Sequence, residues 1–366
     1  MQFFLRHKKL HMVLAAELFL LALYLFFRQF RPLMNFLASH VTVPLRRGIG
    51  SICYLVDFSV AEALCVALVI AGAVYFVWSI AAVCRARGRR AGRAYSAALG
   101  LLCAGLGIYV GFCFLLGIDS YADGFQEKSG IYARAVEESA LRDVTAYFAD
   151  ELSQAAGKVA RDENGLFAVP REEILAGSTG VYDVVEQQFS FLAFDDPGVK
   201  PVYFSRIMSA LDFTGIYCPF TGEANVNVDS PACLLPSTVA HELAHQRGVA
   251  SEQECNFLAI LASTTCGDPV YAYSGWLLGY IHLNNALYRA DRELWREAWS
   301  HLPEAVKGDI AANNAYWASF QDQVTSQAAQ QVYDSFLKSY GEEQGIQSYG
   351  TVVDLLVVWY GPQAGT

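Results

Sequence analysis

The segment from Ser237 to Ala259 reads S-T-V-A-H-E-L-A-H-Q-R-G-V-A-S-E-Q-E-C-N-F-L-A. Within it His241, Glu242 and His245 form H-E-x-x-H, a spacing used by zinc hydrolases. Residues four apart on a helix stand one above the other, so both imidazoles can reach one metal ion. Glu242 lies beside them, where a carboxylate can take a proton from a water that the metal acidifies. Pro236 can open this helix at its first turn, and Gly248 ends it three residues after the second histidine.

A catalytic zinc needs three protein ligands and one open position. Two carboxylates return within ten residues of His245, so Glu252 and Glu254 compete for the third place. Glu252 and Asn256 are four apart and share a helix face. That pair resembles the E-x-x-x-D arrangement of glutamate-type zincins, in which the acid binds zinc and the later residue supports a histidine. Asn256 replaces the acid, but its amide oxygen can still accept an imidazole N–H. Helix geometry therefore favours Glu252. Glu254 has a separate use available, as the third residue of a capping box begun by Ser251. Arg247 at the helix end is a favourable charge for the helix dipole. Tyr217, Tyr273, Tyr280 and His282 are the candidates to stabilise an oxyanion, each with the simpler reading of a core residue.

Upstream, Lys200 to Phe204 and Gly215 to Pro219 look like short strands. Glu223 to Asp229 alternates as a half-buried strand does. Standing just before the motif helix, the stretch Asn225 to Val228 is a candidate edge strand that could present its backbone to an extended peptide. Helices are expected over residues 131–159, 181–194, 270–289 and 309–340, and residues 349–360 form a short apolar segment that packs on the core.

The other half of the chain is different in kind. Residues 1–117 carry 12 Lys/Arg against 3 Asp/Glu, a net of +9; residues 118–366 carry 14 against 33, a net of −19. Apolar runs at about 10–27, 60–83 and 95–118 are long enough to span a membrane. Glu17 and Glu62 lie near the starts of two of them, and five glycines in the third would let helices approach closely. The connector at 31–59 could lie on the membrane surface. Arg85, Arg87, Arg89, Arg90 and Arg93 crowd the loop between the second and third spans, which marks that loop and the N-terminus as cytoplasmic. The third span then delivers residue 119 onward to the extracytoplasmic side. The expected domains are a membrane anchor at 1–118 and a catalytic domain at 119–366.

The acidic half argues against nucleic acid as a partner, because phosphate binding needs a basic surface. Nine cysteines without a C-x-x-C pair give neither a disulfide framework nor a cysteine zinc site. Cys218, Cys233, Cys255 and Cys266 leave one disulfide open without assigning it.

Together with T-G-I-Y-C-P-F-T-G-E-A-N-V-N from Thr214 to Asn227, the opening segment resembles a bacterial membrane-anchored family called domain of unknown function 3810. The resemblance covers nearly the whole chain. It implies a mainly α architecture with a small β element, three transmembrane helices followed by a zincin-like metallopeptidase domain. The family name carries no reaction.

The resulting expectation is a multi-pass cell-membrane zinc metallopeptidase. His241, His245 and Glu252 would hold Zn2+, Glu242 would act as general base, and Asn256 and Gly248 would support the ligands. Its partners would be the lipid bilayer and a peptide or protein substrate of the cell envelope. The rivals are a non-catalytic, zinc-stabilised membrane-tethered sensor or assembly protein, and a zinc hydrolase of another amide such as cell-wall peptide.

Overall fold

Among the described residues three helices are long and apolar enough to cross a membrane: α1 (Lys8–Phe27), α4 (Val60–Arg85) and α5 (Arg90–Phe112), the last extended by a π-helical turn to Gly117. The computed structural model describes residues 7–321, 327, 330–331 and 350–365. The expected helix at 309–340 is described only as far as Gln321, and its remainder lies largely outside the described residues.

The three long helices pack with fixed directions. His11 at the start of α1 lies 2.7 Å from the Tyr95 hydroxyl near the start of α5. At the other end the Tyr24 hydroxyl donates to the Gly117 carbonyl at 3.0 Å. α1 and α5 therefore run parallel, with α4 between them in sequence and reversed. Glycines in α5 allow the contacts expected of small residues. A Cβ at Gly107 would meet Glu17 Oε1 at 3.0 Å, and one at Gly100 would meet the Tyr75 hydroxyl at 2.3 Å.

The connector between α1 and α4 is helical: α2 (Arg31–Leu37), a π-helical turn and α3 (Val43–Cys53). It carries apolar residues outward, among them Phe36, Leu45, Ile52 and Leu55. Its inner face is bound to the rest of the chain. Arg46 Nη2 pairs with Asp119 Oδ2 at 2.5 Å, and both side chains are 1% exposed.

Beyond the spans, short α6 (Phe125–Ser129) leads to α7 (Glu138–Ala156), α8 (Arg171–Ala176) and α9 (Asp183–Gln188). α7 starts later than the periodicity suggested. Ile131 and Ala133 still pack against the core, but from irregular chain. The helix expected over 181–194 is likewise shortened to α9 and a single 3-10 turn at Ser190–Leu192.

A three-stranded sheet follows, with β1 (Lys200–Pro201), α10 (Ser205–Ala210), β2 (Gly215–Cys218) and β3 (Glu223–Val226). Its spatial order is β1-β3-β2, with β1 parallel and β2 antiparallel to β3. The strand expected to be an edge is thus the central one. β3 is buried at all four positions, because both neighbours and α11 cover it. Among the described residues the free edge facing the site belongs to β2.

The rest is a helical bundle: α11 (Leu235–Gln246), α12 (Glu252–Thr265), α13 (Pro269–Ala290), α14 (Arg292–Ser300), α15 (Glu304–Gln321) and α16 (Gly350–Ala364). α13 is the central buried helix expected from its length, packing on α7, α12 and α11. Phe148, Leu152, Leu258, Tyr271, Leu277 and Leu356 are fully enclosed in this core.

Candidate metal centre and its cleft

α11 begins with Pro236 in its first turn, a position where the missing amide hydrogen costs nothing. Small Ala240 and Ala244 are fully buried and let α12 lie close alongside. The chain reverses at Gly248, whose φ of +86° is strained for any other residue. That reversal returns the first turn of α12 to the histidine face of α11.

His241, His245 and Glu252 each offer a ligand atom within 4.8 Å of one another. His241 Nε2 is 3.1 Å from Glu252 Oε2, and His245 Nε2 is 3.5 Å from Glu252 Oε1. Donors sharing a tetrahedral zinc at its usual bond lengths stand roughly 3.4 Å apart, so these separations suit the ion. The far side of each ring is also arranged. His241 Nδ1 lies 3.0 Å from Asn256 Oδ1, and His245 Nδ1 lies 2.9 Å from the Val249 carbonyl. Both partners are acceptors, so each ring donates from Nδ1 and turns Nε2 toward the carboxylate, the atom free to bind a metal once it is unprotonated. Two imidazole Nε2 atoms and a carboxylate converging in this way form a group that could hold a metal ion.

The electrostatics show that this group attracts positive charge. Burial works against a charged His245, but Cys255 and Glu252 hold it well above the usual histidine range. Burial would likewise raise Glu252, yet His245 and the hydrogen bonds from both imidazoles hold it well below the usual carboxylate range.

The two candidate acids separate clearly in space. Glu254 accepts from the Phe125 and Gln126 amides at 2.7 and 3.0 Å, and from Gln126 Nε2 at 3.2 Å. It serves the start of α6 and turns away from the cluster. The capping box expected from Ser251 and Glu254 does not form, since Ser251 makes no side-chain cap.

Glu242 is 4% exposed and rests against the edge strand. A Cβ at Gly215 would stand 2.4 Å from its Oε1, so only glycine leaves room for the carboxylate there. The backbone of Tyr217 hydrogen-bonds it, and burial pushes its carboxyl up to about 7. In an antiparallel ladder alternate residues face the partner strand. Asn227 N donates to the Thr214 carbonyl, which leaves the backbone groups of Gly215 and Tyr217 toward the free edge and the site.

Cluster and strand share a cleft of about 1160 Å³. Tyr217 lines it, and burial raises its phenol to about 12, so the hydroxyl stays protonated and able to donate. Tyr273 is corrected: it is fully buried, and its hydroxyl donates to Asp309. Tyr280 is also enclosed and donates to Asn284. His282 is close enough to feel the charge of His241 but is not part of the cleft wall. Burial and that charge lower it to about 4, which leaves a neutral ring at physiological pH.

Arg247 does more than face the helix dipole. Its Nη1 donates to the Leu243 carbonyl, its Nη2 pairs with Glu186 at 2.8 Å and with Asp196, and its guanidinium covers the Tyr182 ring. All nine cysteines are free.

Sequence reasoning missed the support beneath the site. A Cβ on Gly248 would meet Val43 at 2.8 Å and come within 4.0 Å of Asp119, so the reversal after His245 sits directly on the Arg46–Asp119 pair. Gln246 donates to the Gly222 carbonyl and to Tyr54, anchoring the same helix to the connector. The only signal was charge: a lone Asp119 just after an apolar run, and Arg46 in the connector.

Fold and site together define a mostly helical protein with three candidate membrane spans and a group of three side chains able to hold a metal ion. The chain belongs to the family described as Protein of unknown function (DUF3810), whose model matches residues 40–357. No curated protein and no solved structure matches the chain.

Proposed function

We propose that this protein is a membrane-anchored zinc metallopeptidase that hydrolyses peptide bonds on the extracytoplasmic side. The observation that carries the reading is the convergence of His241, His245 and Glu252 within 4.8 Å, beside the Glu242 carboxyl and open to a cleft. Three donors facing open space suit catalysis, whereas a purely structural clip is normally closed by a fourth protein ligand.

Bound there, Zn2+ supplies Lewis acidity and lowers the pKa of a water molecule. Glu242 accepts the proton lost in the attack and delivers it to the leaving amine. β2 aligns an extended substrate through its free backbone edge, a role first expected of β3. Tyr217, on that strand, donates to the developing oxyanion. Asn256 and the Val249 carbonyl keep the two imidazoles in the tautomer that binds metal. These roles amount to a glutamate-type zincin site on this helical scaffold.

The orientation rests on charge. α1 and α5 run parallel, so the arginine-rich loop after α4 and the basic N-terminus share one side, which the positive-inside tendency makes cytoplasmic. Protease added to intact cells should digest within residues 119–366 and spare the loop at 85–93; the reverse pattern would invert the topology.

Glu242→Gln tests the chemistry. The variant should retain one zinc per chain by elemental analysis and lose at least about a thousandfold in kcat on a peptide-library substrate. A variant that still cleaves would remove the role of Glu242 as base, whereas zinc-loaded wild type that cleaves no envelope-derived substrate would remove the peptidase reading and favour the tethered zinc protein without turnover.

A further inference from the structure

The cleft that holds His241, Glu242, His245 and Glu252 is also walled by Phe112 and Leu116. These residues are four apart, on one face of the last turns of the third apolar helix. Arg31, at the start of the connector after α1, lines the same cleft. A site carried on a separate domain would have a linker between itself and the anchor. Here Asp119, two residues past Gly117, is already buried in its pair with Arg46.

Other contacts fix the same relation. Glu223 on β3 accepts from the Val60 and Ala61 amides, the first turn of α4, and pairs with Lys200 at 2.7 Å with both side chains buried. The turn at Gly222 sits on α3, where a Cβ would meet the Arg46 carbonyl at 2.3 Å. Glu62, also in the first turn of α4, accepts from the Tyr203 and Phe204 amides at 2.9 and 2.7 Å. Tyr203 is 86% exposed and Phe204 and Ile207 are exposed beside it. Aromatic side chains at the end of an apolar helix mark the level of the lipid headgroups. The sheet beside the site is therefore held against the first turn of α4, where a span would meet the membrane surface.

Resting on the peptidase reading, we propose that the substrate is a membrane-tethered polypeptide, cut in the segment adjoining its own span, which enters the cleft along the wall formed by α5. A chain leaving the bilayer emerges at Phe112 and Leu116 and runs past Arg31 to the edge of β2. The α5 wall and the candidate metal group line one cleft, so the scissile bond lies in the extended segment that adjoins the span.

The test uses the full-length, zinc-loaded protein in proteoliposomes with a single-span reporter carrying a cleavable linker. It compares the same linker as a free peptide and the same reporter with a flexible Gly/Ser spacer of about 30 residues inserted next to the span. The tethered linker should be cut close to the membrane with kcat/KM at least about tenfold above the free peptide, and the spacer should erase that advantage. Equal cutting of all three substrates would overturn the membrane inference and leave the peptidase reading standing.

A photo-crosslinker at position 116 in the Glu242→Gln protein reads binding without turnover. It should capture linker residues next to the reporter's span. Adducts there, with no cleavage of any substrate by the wild type, would keep the cleft assignment and remove the peptidase reading. Absence of both adducts and cleavage would overturn the inference itself.

Discussion

Glu242 is the proposed general base, and its protonation gives a pH prediction. Burial pushes its carboxyl up to about 7, while a cation beside the two histidines favours the ionised form and draws it lower. A base works only when ionised, so kcat/KM of the zinc-loaded protein should rise with pH along a limb whose midpoint lies at or below about 7. A pH profile between 5 and 8 that falls steadily would contradict the role. His241 and His245 were legible in the sequence because four-residue helical spacing alone puts them on one face, and Glu242 because it is the next residue along in the same motif. Gly215 was not, since the need for glycine there comes from a carboxylate on another element.

At the scale of elements, two glutamates in one helical turn do unrelated work. Glu252 faces the histidines; Glu254 accepts hydrogen bonds at the start of α6. Glu252→Ala should lose stoichiometric zinc, measured on the purified protein. Glu254→Ala should keep zinc and lose about 1–2 kcal/mol of stability, as removal of a helix-terminal cap does, measured by thermal unfolding in detergent. Zinc loss in the second variant and not the first would reverse the assignment. The spacing places Glu252 and Asn256 on a shared face, and in the structure both reach His241. The strand order was beyond the sequence: β3 alternates as a half-buried strand would and stands where an edge strand is expected, yet pairing with Val202 and with β2 makes it central.

Taken whole, the molecule joins its apolar helices to its site without a hinge among the described residues. The Arg46–Asp119 pair, 1% exposed on both sides, lies between α3, the end of α5 and the turn at Gly248. Arg46→Met leaves a buried carboxylate without its partner and should cost about 3–5 kcal/mol in unfolding measurements. The double variant Arg46→Met with Asp119→Leu should recover much of that loss, because no orphaned charge remains. If the double variant is no more stable than the single one, the pair is not the source of the effect.

The sequence by itself determined the properties that depend on near neighbours along the chain. These were the three apolar helices, the charge contrast between the halves, the H-E-x-x-H face and the reversal at Gly248. It also marked the family, through motifs that read locally. Tertiary structure alone decided which carboxylate closes the cluster, which strand is the edge, that Tyr273 is committed to Asp309, and that the cleft is shared with α5. Each of these joins residues far apart in the chain, and their order in sequence carries no signal of the backbone path that brings them together.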